Sequence, residues 1–445
     1  MQIETMLFDT IVAPATSPGR AALAIVRIDG PLASAIVHRL TGSETALPSR
    51  RVSLRRLSHD GDVIDDATVV RFEAPSSFTG NDLVEITLHG SPVVVESLIR
   101  ATVSLGARIA EPGEFTERAL LNGRIDLVQA ESIHDLISSR TSLQAKLSIA
   151  NLEGVLSTQA RDIREKLLFV ISRLEAALDF ADEGYRFIEV PETIETLESC
   201  LEMVRSIEAS FERGRATRDG LICVILGQPN AGKSSLMNYL CGSDRAIVTA
   251  LPGTTRDLLR ETIEIGGLPV TLTDTAGLRT TSDEVETLGV SRARAAALEA
   301  DLVVYLVDLS RGIDEVDRAE LGMFESPLLV YTKVDLAEAH SGVFGISVKT
   351  GEGMEAFLRM LDLQVKGRFA VPEGTAAIVN ERQRRELEEC REALVGALSA
   401  VRHGMPEEIV TVELYRAANA LGSLVGAISK GDVLREIFSK FCIGK

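Results

Sequence analysis

The residues GQPNAGKS at positions 227–234 constrain the fold more than any other segment of this chain. They match the pattern G-x-x-x-x-G-K-[ST], follow the apolar run LICVIL and precede the helical run SLMNYL. A strand, a glycine-rich loop and a helix in this order surround a phosphate with backbone N–H groups. The segment therefore predicts a nucleotide-phosphate loop at the edge of a parallel α/β sheet.

The periodicity of apolar residues divides the rest of the chain. Between 218 and 373, apolar strands such as LVVYLVD and LLVYTKVD alternate with helical segments, which is typical of a parallel α/β sheet. On both sides, apolar residues recur every three or four positions, as expected for amphipathic helices. Short apolar runs with Gly and Pro turns fill residues 1–121.

We therefore predict an α/β domain that is inserted into a helical domain, because the termini of a domain often lie close together. An α+β domain precedes them. The predicted boundaries are 1–121 for the N-terminal domain, 122–217 and 374–445 for the two parts of the all-α helical domain, and 218–373 for the inserted domain.

Composition excludes several classes of protein. The formal net charge of −18 disfavours a chain that wraps nucleic acid unaided. Five scattered cysteines disfavour a disulfide framework, and we expect a reducing, cytoplasmic location. No apolar run of about 18 residues suggests a membrane span. The C-terminal CIGK has the outline of a lipidation motif, but its Gly and terminal Lys fit that motif badly.

Further motifs follow the phosphate loop in the order found in GTPases. Lys233 is expected to reach the β- and γ-phosphates, and Ser234 and Thr255 to bind Mg²⁺. A carboxylate at Asp335 can accept the two N–H donors of guanine, so we predict GTP rather than ATP. Thr332 and Val348 depart from the commoner Asn and Ala. The predicted nucleotide-binding residues are Asn230, Ala231, Gly232, Lys233, Ser234, Ser235, Thr249, Thr254, Thr255, Asp274, Thr275, Ala276, Gly277, Thr332, Lys333, Asp335, Ser347, Val348 and Lys349.

The position after DTAG holds Leu278, where Ras-like enzymes place a water-orienting Gln. A leucine side chain cannot hydrogen-bond water. A polar group from elsewhere must take this role, and the carboxylates of DEVE at 283–286 lie just downstream.

Several segments together resemble one family. They are GQPNAGKSS, AIVTALPGTTRD, DTAGLRTTSDEVETLGV, PGEFTERALLNGRIDLVQAE at 112–131 and the terminal FCIGK. The chain resembles, over its whole length, the MnmE (TrmE) GTPases, which modify the wobble uridine of tRNA.

The resemblance implies a K⁺-activated GTPase with a folate-binding N-terminal domain. It implies a homodimer and a complex with an FAD-dependent MnmG-type partner, as a heterotetramer or larger. Together they would install a carboxymethylaminomethyl or aminomethyl group at C5 of U34 in tRNA. The one-carbon unit would come from 5-formyl- or 5,10-methylene-tetrahydrofolate.

The resemblance also assigns roles to matching residues. Glu286 would help to orient the hydrolytic water. Cys442 would lie beside the one-carbon unit. The K⁺ ligands would be Asn230 with main-chain groups of Thr249, Leu251 and Thr254, and the folate-binding residues would be Arg27, Glu85, Arg124 and Lys445.

Two alternatives remain from the sequence. One is an Era-type ribosome-assembly GTPase without modification chemistry, which should carry a basic RNA-binding domain after the G domain; residues 376–445 instead interleave Arg with Glu. The other is a folate enzyme in which GTP hydrolysis is only regulatory.

Overall fold

The computed structural model describes most of the chain. The described residues are 9–43, 45, 47–179, 190–243, 245, 260–274, 298, 300–336, 344–372, 375, 377–427, 434, 437–439, 441 and 443–444. They form two compact units: an N-terminal unit, which runs to His134 and includes the chain from Asn419 onward, and a central unit, Asp135–Ala418.

A six-stranded sheet forms the centre of the N-terminal unit. Its strands follow the order β3-β4-β5-β2-β1-β6. The pairs are antiparallel except β1 with β6. The strands are β1 (Ile11–Pro14), β2 (Leu23–Asp29), β3 (Ser53–His59), β4 (Asp62–Phe72), β5 (Leu83–His89) and β6 (Arg108–Ile109), and the helices are α1 (Ala33–Thr41), α2 (Pro92–Ser104), α3 (Glu114–Leu121) and α4 (Leu127–Ser138).

The two faces of this sheet differ because side chains alternate along a strand. One face is apolar and is covered by α1 and α2, as when Val26 and Ile86 pack with Leu98. On the other face, among the described residues, Phe115 of α3 covers one end. We call the remainder the open face; it carries Arg27.

The C-terminal residues belong to the N-terminal unit and are attached to it. Phe438 and Phe441 pack with Leu127 of α4 in a buried apolar cluster. Ile443 forms an antiparallel bridge with Pro112. Since terminal residues are ordered only where something ties them down, these contacts account for the position of the described residues of this segment.

The central unit combines helices with a second six-stranded sheet. The helices are α5 (Ser142–Leu152), α6 (Val155–Asp179), α7 (Val190–Glu208), α8 (Phe211–Asp219), α9 (Lys233–Cys241), α10 (Glu315–Leu321), α11 (Met354–Phe369), α12 (Glu381–Arg402) and α13 (Glu407–Leu424), and the strands are β7 (Leu221–Gly227), β8 (Arg260–Ile265), β9 (Leu268–Asp274), β10 (Leu302–Asp308), β11 (Leu328–Thr332) and β12 (Gly345–Ile346). The predicted apolar stripes are confirmed at Ile163, Leu167 and Leu394, which are buried. No helix in the described part of the chain is long and apolar enough to cross a membrane.

The central sheet has the order β12-β11-β10-β7-β9-β8, with only β8 and β9 antiparallel. Its core includes Leu236 of α9 and Phe357 of α11. The carboxyl ends of the parallel strands meet at one edge, which is where such sheets bind ligands. The predicted fold class is confirmed: an α/β domain lies between two helical segments, after an α+β domain. The residue boundaries of the domains remain predictions.

The segments that lead into and out of the α/β domain touch each other. A Cβ added at Gly214 of α8 would lie 2.1 Å from the carbonyl oxygen of Ile378. The Ile378 amide donates to Ser210 Oγ at 3.2 Å. Only glycine permits this approach, so the two junctions of the inserted domain are fixed side by side.

Candidate functional site

The phosphate loop connects β7 to α9 at the carboxyl edge of the central sheet. Gly227 has φ 134°, and a Cβ there would lie 2.2 Å from the Leu306 carbonyl oxygen of β10. Gly232, with φ 93°, directly precedes α9. Both positions favour glycine, which adopts positive φ without steric cost. The loop therefore turns tightly into the N-terminus of α9, where helix N–H groups can bind an anion.

Lys233 is held inside the loop. Its Nζ donates to the carbonyl oxygens of Gly227 at 2.7 Å and Gln228 at 2.8 Å. Ser234 and Ser235, in the first turn of α9, are exposed. A cation beside the N-terminus of a helix, with a hydroxyl next to it, suits a phosphate with its Mg²⁺.

Thr332 ties β11 to the phosphate loop. Its buried hydroxyl donates to the Ala231 carbonyl oxygen at 2.8 Å and lies 3.3 Å from that of Val307. The sequence marks Thr332 as a departure from the commoner Asn. The structure shows that the shorter threonine side chain still reaches the Ala231 carbonyl oxygen and holds the loop.

Lys333 and Asp308 form an ion pair beside the loop. Lys333 has φ 60°, and its Nζ donates to Asp308 Oδ2 at 2.6 Å. Partial burial raises the pKa of Asp308, but hydrogen bonds from Lys333 and Ser310 outweigh it, so the net pKa is lowered. The sequence analysis missed Asp308, although a carboxylate that ends a buried strand was visible in LVVYLVD.

The predicted base-binding residues lie near this pair. Asp335 is exposed, two residues after Lys333. Ser347 is buried, and its Oγ accepts from the Thr350 amide at 3.2 Å. Both segments follow strands that pair in parallel, β11 and β12. They therefore stand at the same edge of the sheet as the phosphate loop.

Asp274 ends β9, where its backbone pairs with Ile225 of β7. Several other predicted residues lie outside the described part of the chain. The structure does not test the roles predicted for Thr249, Leu251, Thr254, Thr255, Thr275, Ala276, Gly277, Leu278, Glu286, Cys442 and Lys445.

The predicted folate-binding residues are brought together only in part. Arg27 of β2 and Glu85 of β5 are directly opposite in register, and Arg27 Nε donates to Glu85 Oε1 at 2.8 Å. Their side chains are 21% and 25% exposed. Arg124 follows α3 and is exposed, with its Cγ beside Gly80. The resemblance assigns Lys445 to the same set; Lys445 lies outside the described residues, and its neighbour Gly444 meets Arg27 through its carbonyl oxygen at 3.4 Å.

A buried charged network anchors the end of the open face. Arg118 of α3 is 1% exposed and donates to Asp29 Oδ1 and to Glu114 Oε1, each at 3.0 Å. Burial raises the pKa of Asp29, although bonds from Thr79, Asn81 and Arg118 oppose this. The network was not predicted, because it joins residues far apart in sequence.

Comparison with protein families matches nearly the whole chain. The model described as the MnmE helical domain matches residues 127–442, and that described as the GTP-binding protein TrmE N-terminus matches residues 10–124. Among solved structures, the G domain of the T. maritima FeoB iron transporter is 25% identical over 32% of this chain and 97% of that chain, with a TM-score of 0.24.

Two similar proteins carry the same name. The tRNA modification GTPase MnmE of Koribacter versatilis is 39% identical, covering 99% of this chain and 100% of that protein. That of Nitrosomonas eutropha is 40% identical over 98% of this chain and 99% of that protein. The helical model also covers the region after the G domain, where an Era-type enzyme would need a basic RNA-binding domain. This chain belongs to the MnmE (TrmE) family of tRNA modification GTPases.

Proposed function

We propose that this protein is a K⁺-activated GTPase that modifies tRNA together with an FAD-dependent MnmG-type partner. The pair installs a carboxymethylaminomethyl or aminomethyl group at C5 of the wobble uridine, U34. A tetrahydrofolate supplies the one-carbon unit. Family membership supports the reaction class, and the two candidate sites support the individual steps.

The GTPase step rests on the geometry of the phosphate loop. Gly227, which a Cβ would force against Leu306, lets the loop close around phosphates. Lys233 brings a positive charge to the β- and γ-phosphates, and Ser234 offers an oxygen to Mg²⁺, which prefers such hard ligands. Asp335 accepts the N–H donors that distinguish guanine.

The same loop is the proposed site of a monovalent cation. Asn230 has φ 64°, a left-handed conformation that asparagine tolerates, and its side chain offers a neutral oxygen. Bound K⁺ would supply positive charge for the phosphoryl transition state, as an arginine does in other GTPases. Asn230 would hold the ion through its side-chain oxygen, and Glu286 is the proposed group that orients water.

The folate step rests on Arg27 and Glu85. A pterin presents N–H donors, and the Glu85 carboxylate can accept them because it is 25% exposed. Arg124 is exposed and can pair with the carboxylates of a folate tail. The observation that carries the assignment is that Gly444, the next-to-last residue, contacts Arg27, because this brings that residue of the tail to the same place.

Pairing of two copies through the N-terminal domain agrees with the open face. Leu23 and Leu54 are 59% and 69% exposed, and they share this face with Arg27. A second copy would cover apolar surface there, since large exposed apolar patches mark interaction sites. With a net charge of −18, this chain needs a more basic partner to hold tRNA.

The test is the chemical state of U34. Cells that lack this protein should contain tRNA with an unmodified C5 at U34, measured by mass spectrometry of digested tRNA. The wild-type gene should restore the modification, and Lys233→Ala should not. Normal U34 in the deletion strain would refute the proposal. A third outcome is that folate and tRNA bind, but only the turnover of folate depends on the protein. That result would favour the alternative of a folate enzyme in which GTP hydrolysis is only regulatory.

A further inference from the structure

Arg27 holds two groups that are far apart in the chain. Its Nε donates to Glu85 Oε1 at 2.8 Å, and its Nη1 donates to the Gly444 carbonyl oxygen at 3.4 Å. A guanidinium presents its donors in a fixed planar fork. One side chain therefore orients both the carboxylate on β5 and the backbone of the C-terminal tail.

The described tail residues Ile443 and Gly444 contact the N-terminal unit closely. Gly444 is buried and has φ 94°, and a Cβ there would lie 2.0 Å from the Pro14 carbonyl oxygen. Ile443 pairs with Pro112 in an antiparallel bridge. The tail thus fits against the ends of the strands by backbone shape, and Arg27 adds a polar contact to that fit.

We propose that Arg27 is a positioning residue, which couples seating of the C-terminal tail to ligand binding at Glu85. A seated tail restrains the guanidinium, and the guanidinium in turn holds Glu85 Oε1. The rest of that carboxylate then faces a ligand in a fixed orientation. The coupling is reciprocal. If the seated tail raises the affinity for a ligand at Glu85 by some factor, the bound ligand raises the equilibrium constant for seating the tail by the same factor. The ligand part rests on the proposed folate function.

Digestion of the tail tests, without any ligand, whether Arg27 holds the tail in place. Carboxypeptidase needs an extended C-terminus, so it should attack the unseated tail of the full-length protein. Arg27→Lys keeps the charge but loses the fork, and digestion should become about two- to tenfold faster, as for loss of one hydrogen bond. Gly444→Ala should be digested faster still, because its Cβ meets Pro14.

Arg56 provides the matched control. It pairs with Asp66 across β3 and β4, with Nε 2.9 Å from Oδ1, and this pair does not involve the tail. Arg56→Lys should therefore be digested at the wild-type rate. Equal digestion rates for Arg27→Lys and wild type would show that Arg27 does not hold the tail. Equally faster digestion of Arg27→Lys and Arg56→Lys would refute that role too.

A double-mutant cycle tests the coupling. Affinity for 5-formyl-tetrahydrofolate is measured by calorimetry for wild type, Arg27→Lys, Gly444→Ala and the double variant. If the tail acts on Glu85 through Arg27, the double variant should bind about as weakly as Arg27→Lys alone. Additive losses would show that the two residues act independently and overturn the coupling.

Failure of the proposed function gives a different result. A wild-type protein that binds no folate refutes the folate assignment and the coupling built on it. The digestion rates of Arg27→Lys and Arg56→Lys still decide whether Arg27 seats the tail.

Discussion

The hydroxyl of Thr332 donates to the carbonyl oxygen of Ala231 at 2.8 Å, across 101 positions of sequence. The strand that leads to the predicted base-binding residues thereby holds the predicted phosphate loop. A single hydrogen bond from a short side chain links the two segments.

Thr332→Val should loosen the phosphate loop. Valine has nearly the same shape but cannot donate, so the unfolding free energy should fall by about 1 kcal/mol and GDP affinity by up to about tenfold. Fluorescent-nucleotide titration and thermal melting measure the two effects. Thr332→Ser keeps the hydroxyl and should behave much like wild type. Equal losses in the two variants would show that the methyl group matters, not the hydrogen bond.

The ion pair of Asp308 with Lys333 should make stability depend on acid pH. Because the pKa of folded Asp308 lies below its ordinary value of 3.8, the pair stabilises the fold above that value. The contribution is lost as pH falls through the lowered pKa. Asp308→Asn should therefore melt at lower temperature than wild type at neutral pH, and the difference should shrink below about pH 4. A difference that stays constant with pH would contradict this assignment.

GTP hydrolysis should require K⁺. We expect turnover in KCl to exceed that in NaCl at matched ionic strength. Asn230→Ala should remove most of the difference, and loss of such an electrostatic group costs about 10²–10³ in rate. Glu286→Ala should lose hydrolysis while retaining GTP affinity, since orientation of water affects only the chemical step. Equal wild-type rates in the two salts would rule out K⁺ activation.

Arg124→Ala should weaken binding of 5-formyl-tetrahydrofolate. The exposed guanidinium is the proposed partner of the ligand's carboxylates, and a charged hydrogen bond contributes about 1.5–3 kcal/mol. Calorimetry should show affinity reduced by about ten- to a hundredfold. Arg56→Ala, on the same unit but paired with Asp66, serves as the control. Unchanged affinity in Arg124→Ala would remove this residue from the site.

Deletion of residues 442–445 should abolish U34 modification and leave GTP hydrolysis near normal. The tail packs on the N-terminal unit, whereas the phosphate loop belongs to the central unit. Turnover of GTP and mass analysis of U34 measure the two activities on the same variant. A truncated protein that still modifies U34 would show that the tail has no part in the chemistry.

The phosphate loop could be predicted because its information is local. One loop and the start of one helix contain Gly227, Gly232 and Lys233. The spacing of these residues along the sequence is enough to predict the shape of the loop. The buried stripe of Ile163 and Leu167 was predictable for the same reason, since helical periodicity decides which side chains face the core.

The remaining contacts depend on register and on distant segments. The opposition of Arg27 and Glu85 follows from strand pairing over 58 positions, and periodicity does not determine such pairing. The contact of Gly444 with Pro14 is still more distant and depends on backbone shape. The resemblance pointed to Arg27, Glu85 and Lys445, but it did not single out the Gly444 carbonyl oxygen as the group that meets Arg27.

The close junction at Gly214 and Ile378 bears on how such a chain could arise and be taken apart. Because the two junctions touch, the α/β domain can be excised and its ends rejoined by a linker of a few residues, with little cost in loop closure. The surrounding helices would then remain a continuous scaffold. The same geometry makes this position suitable for domain exchange. Another nucleotide-binding domain with adjacent termini can replace the α/β domain without changes to the surrounding helices.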